Sequence, residues 1–248
     1  AWLWPGSSAQ AAVLTWDADT KTTGAQDGDG TWGGAGTNWW DSTSGTNVAW
    51  KNSSPDTATI GAGGTGATIT VSGTINVAGI NFASLSSGNY TLSGGTLTLT
   101  SPTIDVASGL SPTIGSVIAG TVGLTKTGPG TLVLTGTNSY SGGTTISGGV
   151  LRGSSIANQG SNSSFGTGNF TIQNNAILRY TGGTASTNRT FSLGTGGGQI
   201  DITNSATTLT VSGVISGSGG LTKTGSGTLE LTGTNSYSGG TTISGGVL

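Results

Sequence analysis

Nine carboxylates are the main candidates for acid–base chemistry in this 248-residue chain, which contains no histidine and no cysteine. Six of them, Asp17, Asp19, Asp27, Asp29, Asp41 and Asp56, crowd the first 56 positions, and Asp105, Asp201 and Glu230 are scattered over the rest. Cleaving a polysaccharide takes two carboxylates facing one bond, or a carboxylate cluster around a metal, often with a basic residue beside it. That spacing is not found here. Asp105 in Ile-Asp-Val and Asp201 in Ile-Asp-Ile lie 96 residues apart in matching contexts, which reads as two equivalent outward positions of a repeat and not as a catalytic pair. No catalytic residue, no cofactor-binding residue and no metal ligand is therefore assigned, no cofactor is expected, and the chain is read as non-enzymatic.

The remaining candidates each have a plainer reading. Asp27-Gly28-Asp29-Gly30 hints at a calcium loop, but the bidentate Glu that closes such a loop at its twelfth position is missing, so a turn is preferred. Thr-x-Thr pairs recur at Thr68/Thr70, Thr96/Thr98, Thr125/Thr127, Thr208/Thr210 and Thr222/Thr224, the pattern of an ice-binding array. Their uneven spacing instead fits threonine on the solvent face of strands. Lys126 and Lys223 are equivalent and are expected at the surface, blunting strand edges or simply solvated. All seven Trp fall before position 51: Trp2, Trp4, Trp16, Trp32, Trp39, Trp40 and Trp50. They suit a cap over an open hydrophobic end, with a carbohydrate-stacking platform as the alternative.

Composition removes further classes. Only 6% of residues are charged and the net charge is −2, which leaves no basic face for nucleic acid. No run is long and apolar enough for a transmembrane helix. Without Cys there are no disulfides or thiolate metal sites.

The elements that would carry any site are set by a long repeat. Gly123 to Leu151 reads GLTKTGPGTLVLTGTNSYSGGTTISGGVL and returns at Gly220 to Leu248 with two changes, Pro129 against Ser226 and Val133 against Glu230. The offset is 220 − 123 = 97 residues. Thr131-Leu132-Val133-Leu134 alternates as a strand does. Because Glu230 replaces Val133 while both leucines stay, the Val133 face is assigned to solvent and the Leu132/Leu134 face to the core. The Pro129/Ser226 change sits between glycines, in a turn.

Short alternating runs punctuated by glycine continue through most of the chain, including Ala67–Ser72, Thr74–Val77, Thr96–Thr100, Asn169–Gln173, Ala176–Tyr180, Gly198–Ile202 and Thr207–Val211. No segment has helical periodicity with caps. The expected fold is all-β: a right-handed parallel β-helix (β-solenoid) with a Trp-rich N-terminal cap, at about 20–25 residues per coil. Residues 1–11 are read as a signal-peptide remnant ending in Ala9-Gln10-Ala11 or as an N-terminal strand, residues 12–66 as the cap, and residues 67–248 as the β-helix.

The string Gly130 to Leu151 closely resembles the autotransporter-associated β-strand repeat, or passenger-associated transport repeat. Gly130, Leu132, Leu134, Gly136, Asn138, Tyr140, Gly142, Thr144, Ile146, Gly149 and Leu151 carry the pattern, and Gly227 to Leu248 carries it again with Tyr237 and Ile243. Asp29-Gly30-Thr31-Trp32 and Asn38-Trp39 resemble the start of such passengers. The resemblance implies an extracellular or cell-surface β-helix of a Gram-negative-type bacterium, exported with a C-terminal β-barrel that no segment here matches. The expected function is a structural or adhesive stalk or filament-forming subunit, the alternative a carbohydrate-binding or carbohydrate-active β-helix using the Trp cluster. Expected partners are a further copy end to end or a longer chain, together with surface glycans or other cells. The uncapped end at Leu248, with Ala1-Trp2-Leu3-Trp4 as its plug, is the expected head-to-tail contact.

Overall fold

A computed structural model describes residues 11–248. Among them there is no α-helix; short strands stack in parallel as a β-solenoid of about eight turns. The expected signal remnant or strand at residues 1–11, and the plug formed by Ala1 to Trp4, lie outside the described residues save for Ala11. One face of the solenoid is a sheet running through Val13–Trp16, Thr57–Ile60, Gly79–Phe82, Thr103–Val106, Leu124–Thr127, Thr144–Ile146, Phe170–Ile172, Phe191–Leu193 and Ile215–Ser216. A second face begins at Gly30–Trp32 and continues through Thr131–Leu134, Val150–Gly153, Ala176–Tyr180, Gly198–Ile202 and Leu221–Thr224. A third sheet, Ala185–Thr187, Thr208–Val211 and Thr228–Leu231, covers the remaining side of the later coils.

Period-two alternation explains why each short strand stays put. Inward residues of all faces meet in one column: Leu132, Leu134, Leu178, Ile200 and Leu209 are fully buried. The face assignment from the repeat holds, because Val133 is half-buried, Glu230 is exposed, and Leu132, Leu134 and Leu229 are buried. The expected strands Ala67–Ser72 and Thr74–Val77 merge into one, Thr68–Val77, and the expected Thr96–Thr100 strand is part of a longer one, Thr91–Leu99; the two pair with a register shift between Val71 and Thr74.

Coil length varies with what each corner holds. Leu124 is in register with Thr144, Thr144 with Phe170, and Phe170 with Phe191, so successive coils take 20, 26 and 21 residues. The longest carries an added loop at residues 154–168. The corners close because glycine allows two backbones to touch. Gly149 has φ 60°, and a Cβ on it would strike the Gly130 carbonyl oxygen of the coil below; Gly246 has φ 68° and would strike Gly227. That contact accounts for the Gly-Gly step kept in both copies.

The two near-identical copies do not lie above one another. Leu124–Thr127 belongs to the first sheet, whereas its counterpart Leu221–Thr224 belongs to the second. Likewise Thr131–Leu134 lies on the second sheet and Thr228–Leu231 on the third. From Leu124–Thr127 the first sheet climbs four rungs to Ile215–Ser216, and the chain turns one further face to reach Leu221–Thr224. The 97-residue offset is thus four coils and one face.

At the N-terminal end, Trp16, Trp32, Trp39 and Trp50 close the core. Their rings pack edge-on or tilted, with centroids 4.8 Å apart for Trp32–Trp39, 4.9 Å for Trp32–Trp50 and 4.7 Å for Trp39–Trp50. An antiparallel hairpin, Trp39–Asp41 with Thr46–Val48, lies across the first rung. This is the Trp-rich cap, and it interlocks with the solenoid, since Val13–Trp16 and Thr57–Ile60 are already parallel rungs.

Candidate binding surface

The carboxylates serve the backbone. Asp27 accepts hydrogen bonds from the Ala62 and Gly64 amides and from Tyr90 Oη at 2.7 Å, and Asp29 accepts from the Thr68 amide at 2.6 Å. The Asp27–Gly30 segment therefore pins the stretch Ala62 to Thr68. Burial, then the Asp27 carboxylate, pushes the Tyr90 hydroxyl well above its ordinary value. Asp56 accepts the Ala12 amide at 2.7 Å, and Asp17 the amides of Asp19 and Gln26. Asp41 is held below the usual carboxylate range, first by the Thr43 amide of its own turn. Asp105 accepts Thr127 Oγ1 at 2.7 Å, and Glu230 accepts Thr210 Oγ1 at 2.7 Å. Among the described residues no group of three or more His, Cys, Asp or Glu side chains is placed to hold a metal ion.

Lys126 and Lys223 correct the sequence reading: both are fully buried. In Leu124-Thr125-Lys126-Thr127 the lysine shares the inward face with Leu124, so its stem runs through the core. Its ammonium donates to the carbonyls of Thr127 at 2.6 Å, Gly128 at 2.8 Å and Gly148 at 3.2 Å. Lys223 repeats the arrangement on Thr224, Gly225 and Gly245. Burial pushes Lys126 down to about 8, against the opposing pull of Asp105. The alternation alone could have placed both lysines inside; weighting charge over period hid it.

Two further buried polar groups went unassigned from sequence. Asn138 stitches three coils: its Oδ1 accepts the Ile118 amide at 2.8 Å and its Nδ2 donates to the Ser164 carbonyl at 2.7 Å. Arg189, fully buried, donates to the carbonyls of Ala157, Ser161, Phe165 and Gly166 and to Ser163 Oγ, and so anchors the 154–168 loop. Its guanidinium also lies 5.6 Å from the Phe170 ring centroid. No motif announced Arg189. Asn138 was visible as a repeat position, without its task.

What remains for contact with other molecules is the outer faces. The first sheet presents a register column of hydroxyls: Thr103, Thr125, Thr145, Thr171, Ser192 and Ser216. On the second sheet the outward column Val133, Arg152, Arg179, Asp201, Thr224 breaks that monotony. Arg179 Nε meets Asp201 Oδ2 at 2.7 Å, the one ion pair among the described residues. Of the described Trp rings, Trp40 alone is not buried, so Trp16, Trp32, Trp39 and Trp50 offer no open face for a sugar.

Comparison with known proteins agrees with this architecture. The passenger-associated-transport-repeat family matches residues 124–152 and 221–248. A relative from Brucella suis biovar 1 (strain 1330), the adhesin BmaC autotransporter, is 42% identical over 127 residues. That match covers 49% of this chain and only 4% of the relative's length. No solved structure matches. No helix among the described residues is long and apolar enough to cross a membrane. Both repeat matches fall on parallel rungs of the β-helix, so the chain carries two passenger-associated transport repeats and is similar over about half its length to a short part of an autotransporter adhesin.

Proposed function

We propose that this chain is a non-catalytic adhesive stalk segment, in which the β-helix sets a rigid length and its outer faces make the contacts. The observation that carries the reading is the use of charge. Seven of the nine carboxylates (Asp17, Asp27, Asp29, Asp56, Asp105, Asp201 and Glu230) are tied to backbone amides or to neighbouring side chains of other segments, and Asp19 and Asp41 to their own turns. Three of the seven basic residues are buried, and the outer faces are largely Thr, Ser, Asn and Gln. Such a surface adheres by many weak polar contacts and leaves no pair of groups to turn a substrate over. The relative's description as an adhesin supports the same reading. Residues 12–66 act as the cap and residues 67–248 as the stalk. Surface glycans or other cells are the partners, and stacking of stalks end to end into filaments is compatible with the one-dimensional coil array.

Beads coated with the purified chain test this directly. They should stick to host-cell layers or matrix-coated glass more than beads carrying a β-helix of unrelated sequence, and the chain should release no product from a panel of polysaccharides. A folded chain that sticks to none of these surfaces, or one that turns over any polysaccharide, refutes the proposal. Sedimentation and electron microscopy read out self-association. Sugar binding by the cap would fall on Trp40, so loss of glycan binding in Trp40→Ala with an unchanged fold would favour that alternative.

A further inference from the structure

The β-helix carries its exposed positive charge in one place. Of the chain's seven basic residues, Lys126, Arg189 and Lys223 are buried, and Lys21 and Lys51 belong to the N-terminal region. Arg152 and Arg179 remain, and they are register partners on neighbouring rungs of the second sheet. Partner strands lie about 4.8 Å apart, and like charges directly opposite one another weaken a sheet. Asp201, one rung further, neutralises Arg179. Arg152 is exposed and makes no ion pair among the described residues. In a chain with so few charges, two adjacent arginines and a single counter-ion leave one cation presented outward at a fixed position.

The neighbours of that cation are chemically ordered. Residues two apart on a strand share a face, so Val150 and Ser154 flank Arg152, and Ile177 and Thr181 flank Arg179. One side of the pair is aliphatic and the other hydroxylic. The rung below adds Val133 and Thr135, and a shallow depression of about 210 Å³ opens where Val133, Thr135, Arg152, Ser154 and Thr181 converge.

We infer that this patch of the second sheet binds an acidic polysaccharide through its sugar carboxylates. A guanidinium grips a carboxylate with two parallel N–H donors, the C–H face of a pyranose ring suits Val150 and Ile177, and ring hydroxyls suit Ser154, Thr181 and Thr135. Nucleic acid fits poorly, because the patch has no aromatic platform and the chain no basic stripe. The inference rests on the adhesive reading above and names the ligand class of one of its faces.

The test uses the full chain with immobilised polygalacturonate as the probe, and with neutral dextran and polyglutamate as comparisons. Wild-type protein should bind polygalacturonate in a salt-sensitive manner and ignore dextran. Arg152→Gln, an exposed change, should weaken binding about tenfold or more, whereas Lys51→Gln on the cap should leave it unchanged. Asp201→Asn frees Arg179 and should tighten binding, with circular dichroism confirming the fold. Equal binding by wild type and Arg152→Gln, binding to dextran as strong as to polygalacturonate, or equally tight binding to polyglutamate would overturn the site. If coated beads still adhere to cells while polygalacturonate is not bound, the site falls and the adhesive reading stands. Arg152-dependent polygalacturonate binding without cell adhesion gives the reverse.

Discussion

Asn138 and Asn235 occupy the same motif position but make different numbers of bonds, which gives a controlled perturbation. Asn138 is fully buried, and its amide bridges the Ile118 N–H below to the Ser164 carbonyl above. Asn138→Ala strands both backbone groups away from water. Leaving a buried donor or acceptor unpaired costs about 1–3 kcal/mol each, so about 2–6 kcal/mol together. Asn235 is half-buried and accepts only the Ile215 amide, at 2.8 Å; Asn235→Ala should therefore cost about 1–2 kcal/mol. Because each coil touches chiefly its neighbours, the damage should be local. Hydrogen exchange read by mass spectrometry suits this, combined with urea titration. Asn138→Ala should deprotect Ile118 and the 154–168 loop together. Asn235→Ala should deprotect Ile215 alone, with a smaller change in midpoint. Equal effects of the two substitutions would refute the claim that this asparagine works as a bridge between coils.

Three further outcomes follow from the packing. Val133→Glu should be nearly neutral, since Glu230 occupies the equivalent site, whereas Leu134→Glu places a charge in the core and should cost several kcal/mol; similar melting shifts would overturn the strand register. Arg189→Met should leave the 154–168 loop open to proteolysis while neighbouring rungs stay protected, and uniform sensitivity along the chain would count against its anchoring role. Burial lowers Lys126 to about 8 from 10.5, so within that window the unfolded chain holds more protons than the folded one and stability rises with pH. Relative to Lys126→Met, the wild type should gain up to about 3 kcal/mol between pH 7.5 and 10.5; a constant difference in urea midpoint would exclude it.

The fold was legible because its determinants are local. Alternation in Thr131–Leu134, the Glu230 replacement and the glycine corners are each properties of a few consecutive residues, and each names a face or a turn by itself. Trp crowding before position 51 likewise announced a cap. What stayed hidden depends on pairs distant in sequence. Arg189 is meaningful only once the 154–168 loop lies against it, and Arg152 only once Arg179 is the next rung, 27 residues on. Lys126 was missed for another reason: a charge is expected at the surface, yet this lysine shares the inward face of Leu124, and a lysine stem can cross a core when carbonyls wait at its end.

Four coils and one face, not four coils or five, separate the two copies, and this bears on how such a chain presents itself. If the module were a whole number of coils, every copy would show its outward residues on the same side, and the stalk would have one functional stripe. With the added face, Val133 looks out from the second sheet and Glu230 from the third. The same holds for Asp105 and Asp201, which lie on the first and second sheets beneath Thr127 and Thr224. Sequence identity therefore preserves internal bonds, as Lys126 and Lys223 show, while the outward surface is rotated. The cation patch at Arg152 and Arg179 arises where a coil outside the longest identical run, Ala176–Tyr180, meets the end of the first copy. The repeated module thus keeps its inward bonds in both copies, while the outward charges Arg152, Arg179 and Asp201 sit on successive strands beside and between them.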